Sequence, residues 1–244
     1  MTDIRLQVLN MDPSSQYRLE DIIDNVSTDC VIFGFQQSML EILLYKRALN
    51  PCKGMWALPG GFLNKGELIE EAARRILYNT TGLHNIYLEE IGVFDQIDRF
   101  PEWRVFTIGF FALISPENDK LITSNEYTLE AKWFKLNELP ELAWDHKHIV
   151  DIARDKLKTR VQNKPVGFEL LPNKFTLPQL QTLYEVILDK SLDKRNFRKK
   201  LINMKLLKKL NEKDKNNIKR PADLYSFDKK RYKTLVKQGF LFEM

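Results

Sequence analysis

Apolar positions along this chain follow two rhythms. Up to about residue 135 they come in short runs bounded by turn residues, as buried strands do. The runs are Cys30 to Phe35 (CVIFGF), Leu40 to Lys46 (LEILLYK), Ile86 to Phe94 (IYLEEIGVF), Arg104 to Ile114 and Ala131 to Phe134. Gln36-Gln37-Ser38 predicts one turn, Asp95 to Arg99 another, and Ser115 to Asp119 a loop. One helix is predicted from about Glu67 to Asn79, closed by Gly82. A second starts from Asp145 as N-cap and runs to about Asn163. Pro165 halts it and marks a boundary.

Beyond Pro165 the period turns helical. Residues 165–172 (PVGFELLP) read as a short linking strand. Thr176 caps a helix from Leu177 to Leu188, whose core stripe is Leu177, Leu180, Leu183, Tyr184 and Ile187. Asp193 caps a second, to about Met204, anchored by Phe197, Leu201 and Met204. Leu206 to Leu210 and Ala222 to Phe227 read as strands around a lysine-rich loop, Asn211 to Pro221. A basic amphipathic helix follows from about Asp228 to Gln238. Helix, turn, helix and ribbon is the order of a winged helix-turn-helix. The expected organisation is an arm at 1–27, an α/β domain at 28–163 and a winged helix at 164–244.

Composition sharpens this division. The 244 residues, 43% hydrophobic, suit two modest globular domains. Residues 1–150 hold 14 basic and 22 acidic side chains, a balance of −8, whereas residues 151–244 hold 24 and 11, a balance of +13. Only the second half is expected to meet a polyanion. No run approaches the roughly 20 apolar residues of a membrane span, and the N-terminus lacks signal-peptide blocks, so a cytoplasmic protein is expected. Cys30 and Cys52 are far apart and imply a reducing compartment. His84, His146 and His148 make no metal-ligand spacing and are expected on the surface. No metal or cofactor is expected.

The densest motif is GMWALPGGFLNKGELIEEAARRILYNTTGL, Gly54 to Leu83. It resembles the Nudix box, G-x5-E-x7-R-E-U-x-E-E-x-G-U with U aliphatic. Gly61, Glu67, Arg75, Leu77, Gly82 and Leu83 match. Ile76, Asn79 and Thr80 stand where the family has glutamates. Those positions share one helix face, and in the hydrolases that face holds magnesium against a diphosphate. A hard cation needs oxygen ligands, preferably anionic, and isoleucine offers none. The resemblance implies an α/β/α sandwich with a mixed sheet, used for binding rather than hydrolysis. A Nudix pyrophosphohydrolase acting on ADP-ribose or a similar nucleoside diphosphate is the alternative, and an RNA-binding adaptor is a further one.

In the basic half, Lys194, Arg195, Asn196, Arg198 and Lys199 crowd the start of the second helix. Arginine reads guanine and asparagine reads adenine in the major groove. Lys213, Lys215, Lys219 and Arg220 in the ribbon loop suit phosphates. A degenerate Nudix domain followed by a winged helix is similar to the bacterial Nudix-related transcriptional regulators of the NrtR and AraR type. PVGFELLPNKFTLPQLQTLYEVILDKSLDKRNFRKKL and RPADLYSF carry that resemblance. It implies a homodimeric regulator, chiefly a repressor, on palindromic double-stranded operators of NAD-related or sugar-catabolism genes. The implied effector is an ADP-ribose-like nucleotide or a pentose such as arabinose, and the missing glutamates favour the sugar. Candidate effector residues at the expected cleft are Arg47, Trp56, Glu67, Asp95, Arg99, Trp103 and Arg104. Trp56 in the core, and Glu67 in a structural ion pair with Arg75, are the plainer alternatives.

Overall fold

A computed structural model describes residues 22–82, 84, 86–116, 128–214 and 221–244. They group into two compact units. Most of the first lies between Glu41 and Leu113, and it ends at Arg154; Asp155–Met244 belongs to the second.

The first unit is built on a seven-stranded sheet. β1 (Ile22–Gln36) and β2 (Met39–Arg47) are neighbours joined by Gln37 and Ser38. Both joining residues take positive φ, 50° and 61°, as a two-residue hairpin turn requires. β3 (Trp56–Ala57) and β7 (Thr128–Lys135) pair with β2, and β4 (Gly60–Asn64) pairs with β1. β6 (Phe106–Ile114) lies between β1 and β5 (Tyr87–Phe94). β1 begins at Ile22, so residues 22–27 belong to the sheet and not to the expected polar arm. Its early residues pair with the glycine-rich β4, Ser27 opposite Phe62 and Asp29 opposite Gly60, after a bulge. That non-local pairing is invisible in the local composition. Residues 1–21 lie outside the described set.

α1 (Ile69–Thr81) starts two residues later than predicted. Leu68 is its N-cap and donates its backbone N–H to Glu71 at 3.0 Å. Glu67 stays outside the helix, because its carboxylate closes the preceding turn by accepting from Asn64 N–H at 3.0 Å. Ala72, Ala73, Ile76 and Leu77 form the buried face. Gly82 ends the helix in the left-handed region, φ 73°, donating to Tyr78 at 2.7 Å. α2 (His146–Asn163) buries Ile149, Val150, Ala153, Leu157 and Val161. The division between the two units falls within this helix.

In the second unit, residues 165–170 form a 3₁₀ turn, not the expected linking strand. Pro165, Val166, Gly167 and Phe168 are consecutively buried, a pattern no alternating strand produces. α3 (Leu177–Leu188) buries all five residues of the predicted stripe. Thr176 Oγ1 accepts from Gln179 N–H at 3.3 Å, and Gln179 Oε1 accepts from Thr176 N–H at 2.7 Å, a reciprocal cap. α4 (Lys194–Asn203) packs through Phe197 and Leu201, with Phe197 5.7 Å from the Tyr184 ring. β8 (Phe175–Thr176), β10 (Asp223–Phe227) and β9 (Leu207–Lys213) make a three-stranded sheet. β9 runs three residues past its predicted end. Backbone bonding carries the ladder on toward the loop, where Asp214 N–H donates to Ala222 O at 2.9 Å. Lys213 is therefore a strand residue opposite Asp223. α5 (Lys229–Lys237) is capped by Asp228, which accepts from Arg231 N–H at 2.9 Å.

Candidate effector site and nucleic-acid interface

The Gly-rich turn before α1 rests on a buried polar cluster. Gly60 faces Asp29 so closely that a Cβ would sit 1.8 Å from its Oδ1, so only glycine fits. Leu58 N–H donates to His146 Nδ1 at 2.9 Å, and Cys30 N–H to Pro59 O at 2.9 Å. His146 is 3% exposed, which corrects its expected surface position; His84 and His148 are exposed. Because Nδ1 accepts, the neutral ring carries its proton on Nε2, 3.7 Å from Asp29 Oδ2. Burial, helped by Arg47 and Arg99, drives the His146 pKa down to about 3. Burial pushes Asp29 up to about 7 against the pull of the Arg99 guanidinium.

Arg99 is the hub of this cluster. Its Nε and Nη2 donate to the two Asp145 oxygens at 2.9 and 2.8 Å. Its Nη1 donates to Thr107 Oγ1, which is 2.6 Å from Ser27 Oγ, and Nη2 is 3.8 Å from Asp29 Oδ2. Asp145 does precede α2, but Arg99 holds its carboxylate. The cluster thus ties β1, β6, the 95–99 turn, the start of α2 and the Gly-rich turn together. Bringing these charges out of water carries a desolvation cost that their mutual contacts offset, so removing one partner strands a buried charge.

An aromatic row borders the cluster. Phe62 stacks on Trp103 at 6.1 Å, Trp103 meets Phe100 at 4.9 Å, and Phe100 meets Trp144 at 5.4 Å. The Arg47 guanidinium lies 4.6 Å from the Trp144 ring centre and donates to Pro51 O at 2.8 Å. Trp144 has φ 50°, a strained backbone for a bulky residue and the kind that gathers at functional sites.

Of the seven predicted effector residues, Arg47, Arg99 and Trp103 meet in this connected set. Arg104 follows Trp103; its guanidinium packs 4.6 Å from Phe106, with Nη1 enclosed and lacking a hydrogen-bond partner. Asp95 is exposed at the end of β5. Trp56 packs edge-on against Phe134 at 4.7 Å. Glu67 makes a two-point pair with Arg75, 2.6 and 2.7 Å, while Arg75 also donates to Phe62 O at 3.1 Å. That clamp lowers the Glu67 pKa and fixes the loop on α1. Asp29, Phe100, Thr107, Trp144, Asp145 and His146 were not among the predicted residues. The available signal was a charge directly before an apolar strand run, at Asp29, and an Asp-His pair at a helix start.

The face that bears metal ligands in Nudix hydrolases differs here in kind. Ile76 is 4% exposed and packs into the core, whereas Asn79 is exposed. The Thr80 side chain lies outside the described set. Among the described residues no group of three or more His, Cys, Asp or Glu side chains is placed to hold a metal.

In the second unit, α4 presents Lys194, Arg195, Asn196 and Lys199 to solvent. Ile202, 57% exposed, lies on the same face as Arg195 and Lys199. Arg198 is half-buried with its Nε enclosed and unpartnered, so it flanks the packed stripe instead of crowding the exposed side. In the ribbon, Lys213 is exposed; Lys215, Lys219 and Arg220 lie outside the described residues. Other ribbon lysines are tied to acids: Lys208 to Asp228 at 3.0 Å, and Lys209 to Asp223 at 2.6 Å.

A Nudix domain joined to a winged helix is the class these features define. The Nudix domain family matches residues 24–152, and the NrtR DNA-binding winged helix domain matches residues 167–227. The chain is 34% identical to the "ADPR responsive transcriptional repressor NtrR" of Acinetobacter baylyi, over 87% of this chain and 86% of that one. It is 41% identical to the ADP-ribose pyrophosphatase of Methanocaldococcus jannaschii over 45% of this chain and 63% of that enzyme. Its structure resembles Shewanella oneidensis NrtR complexed with a 27mer DNA: TM-score 0.74, 28% identity, 83% of this chain and 93% of that one. The NUDIX domain of that NrtR, complexed with ADP ribose, matches with TM-score 0.50 and 26% identity, over 64% and 99%. The chain belongs to the NrtR family of Nudix-related transcriptional regulators. No helix among the described residues is long and apolar enough to cross a membrane.

Proposed function

We propose that this chain is an ADP-ribose-responsive transcriptional repressor whose Nudix domain binds the nucleotide without hydrolysing it. The observation that carries the reading is likeness to an ADPR-responsive repressor across both modules, in the same order, over 87% of the chain. Residues 28–163 act as the effector domain and residues 164–244 as the DNA-binding domain. ADP-ribose is what remains when NAD loses nicotinamide, so an NAD-related operon is the fitting target. The repressor and the pyrophosphatase described above both point to ADP-ribose; they lend the pentose expectation no support. The protein acts as a homodimer on a palindromic operator, because one winged helix makes few base contacts and a two-fold pair gains affinity and specificity.

A hydrolase reading draws on the 41% identity to an ADP-ribose pyrophosphatase. Against it stands the buried Ile76, which contributes no oxygen where a magnesium ligand is needed. Calorimetric titration of the full chain with ADP-ribose and with arabinose, followed by chromatography of the ADP-ribose sample with magnesium, separates the readings. Saturable ADP-ribose binding with the nucleotide recovered intact is expected. AMP and ribose 5-phosphate above a no-protein control, abolished by chelator, would establish the hydrolase. Heat with arabinose alone would establish the sugar sensor.

A further inference from the structure

We propose that α5 is a second DNA-backbone contact, independent of α4 and the ribbon. The inference rests on the reading that the second unit binds DNA, and it assigns to that binding a helix outside residues 167–227, where the winged-helix match lies. α5 reads KKRYKTLVK and contains no acidic residue. Tyr232 and Leu235 are its half-buried positions, with Tyr232 5.9 Å from the Phe227 ring. At 100° per residue, Lys230, Lys233 and Lys237 share one stripe that points away from that packed side. All three are exposed.

The lysines nearby behave differently. Lys229 pairs with Glu169 at 2.7 Å, Lys208 with Asp228 at 3.0 Å and Lys209 with Asp223 at 2.6 Å. The α5 stripe has no carboxylate within the helix to neutralise it. Like charges three and four residues apart cost a helix stability, and a polyanion lying along the stripe removes that cost. Asp228 fixes where the stripe sits. It caps the helix and holds Lys208 of β9, so α5 leaves the ribbon at a set position. The partner this surface fits is the phosphate backbone, read without regard to base.

The test compares the full chain with a K230Q/K233Q/K237Q variant. Glutamine keeps helix propensity close to lysine, and circular dichroism checks the fold. Operator and scrambled duplexes are titrated by fluorescence anisotropy from 50 to 300 mM salt. For every phosphate that a lysine no longer neutralises, the slope of log K against log salt flattens by about 0.9. With two protomers on the duplex the triple variant loses six lysines, and is expected to flatten the slope by about four to five and to weaken both duplexes about equally, on the order of 10,000-fold at 0.1 M salt. The operator-to-scrambled ratio should stay unchanged. An unaltered slope overturns the proposal, and if the sedimentation mass changes as well, α5 is a protein contact instead. If the unmodified chain binds neither duplex, the DNA-binding reading itself fails, a result distinct from an α5 variant that binds as well as its parent.

Discussion

Arg99→Met should be among the most destabilising single changes in the first unit. The guanidinium makes two charged hydrogen bonds to Asp145 at 2.9 and 2.8 Å, bonds Thr107, and lies 3.8 Å from Asp29. Its side chain is 5% exposed, against 16% and 10% for the two aspartates. Methionine fills much of the volume, so packing loss is small. The cost is the Asp145 carboxylate left buried without its cation, about 3–5 kcal/mol by analogy with broken buried pairs, while Asp29, whose folded pKa is about 7, can take up a proton. Asp145→Asn should cost less, because Arg99 keeps Asp29 beside it. All four tryptophans, Trp56, Trp103, Trp133 and Trp144, belong to the first unit, so their fluorescence in urea reports that unit alone. With a slope of about 2 kcal/mol per molar, the Arg99→Met midpoint should fall by about 2 M. A fall under about 0.5 M, or a larger loss for Asp145→Asn, would refute the hub role of Arg99.

The buried pair beneath the Gly-rich turn gives a pH signature. Asp29 has an ordinary value of 3.8 and a folded value of about 7, so its stabilising contribution is complete below 3.8 and is lost as pH rises through 7. His146 goes from 6.5 to about 3, so its contribution is complete above 6.5 and is lost as pH falls toward 3. The two slopes cancel between about 4 and 6.5, and urea stability of the first unit should be flat there; Asp29→Asn should tilt it upward with pH, by at most about 1.4 kcal/mol per unit. Phe197→Ala should cost the second unit about 3–5 kcal/mol, read in thermal unfolding by circular dichroism. Arg195→Ala should lose about 1–3 kcal/mol for each protomer on the operator and little on a scrambled duplex, whereas Lys213→Ala should weaken both alike and flatten the salt slope by about one for each protomer bound.

The winged helix was legible because local rules wrote it. Thr176, Pro178 and the Leu177-to-Ile187 stripe set α3 without help from distant residues, and Asp193 did the same for α4. The Nudix box was legible for a similar reason, since its glycines and the Glu67–Arg75 clamp act within one loop and one helix. The polar cluster was not. Asp29, Thr107 and the Asp145-His146 pair come from three separate stretches of the chain, and only the tertiary fold gathers them around Arg99. His146 looked like a surface residue because its partner is the backbone N–H of Leu58, 88 positions away. Arg198 shows the limit within a helix: its sequence position allows either face, and packing beside Phe197 decides.

On the proposed reading, ADP-ribose bound by the Nudix domain controls DNA occupancy without being consumed. The direct measurement is anisotropy of a labelled operator duplex, selected with the full chain from a random library, as ADP-ribose is added with either magnesium or chelator present. Saturable release of the duplex, at the same nucleotide concentration in both conditions and with the ADP-ribose intact afterwards, is the predicted result. An operator that stays bound throughout, or a release that needs magnesium and leaves AMP behind, would contradict a non-hydrolysing ADP-ribose switch.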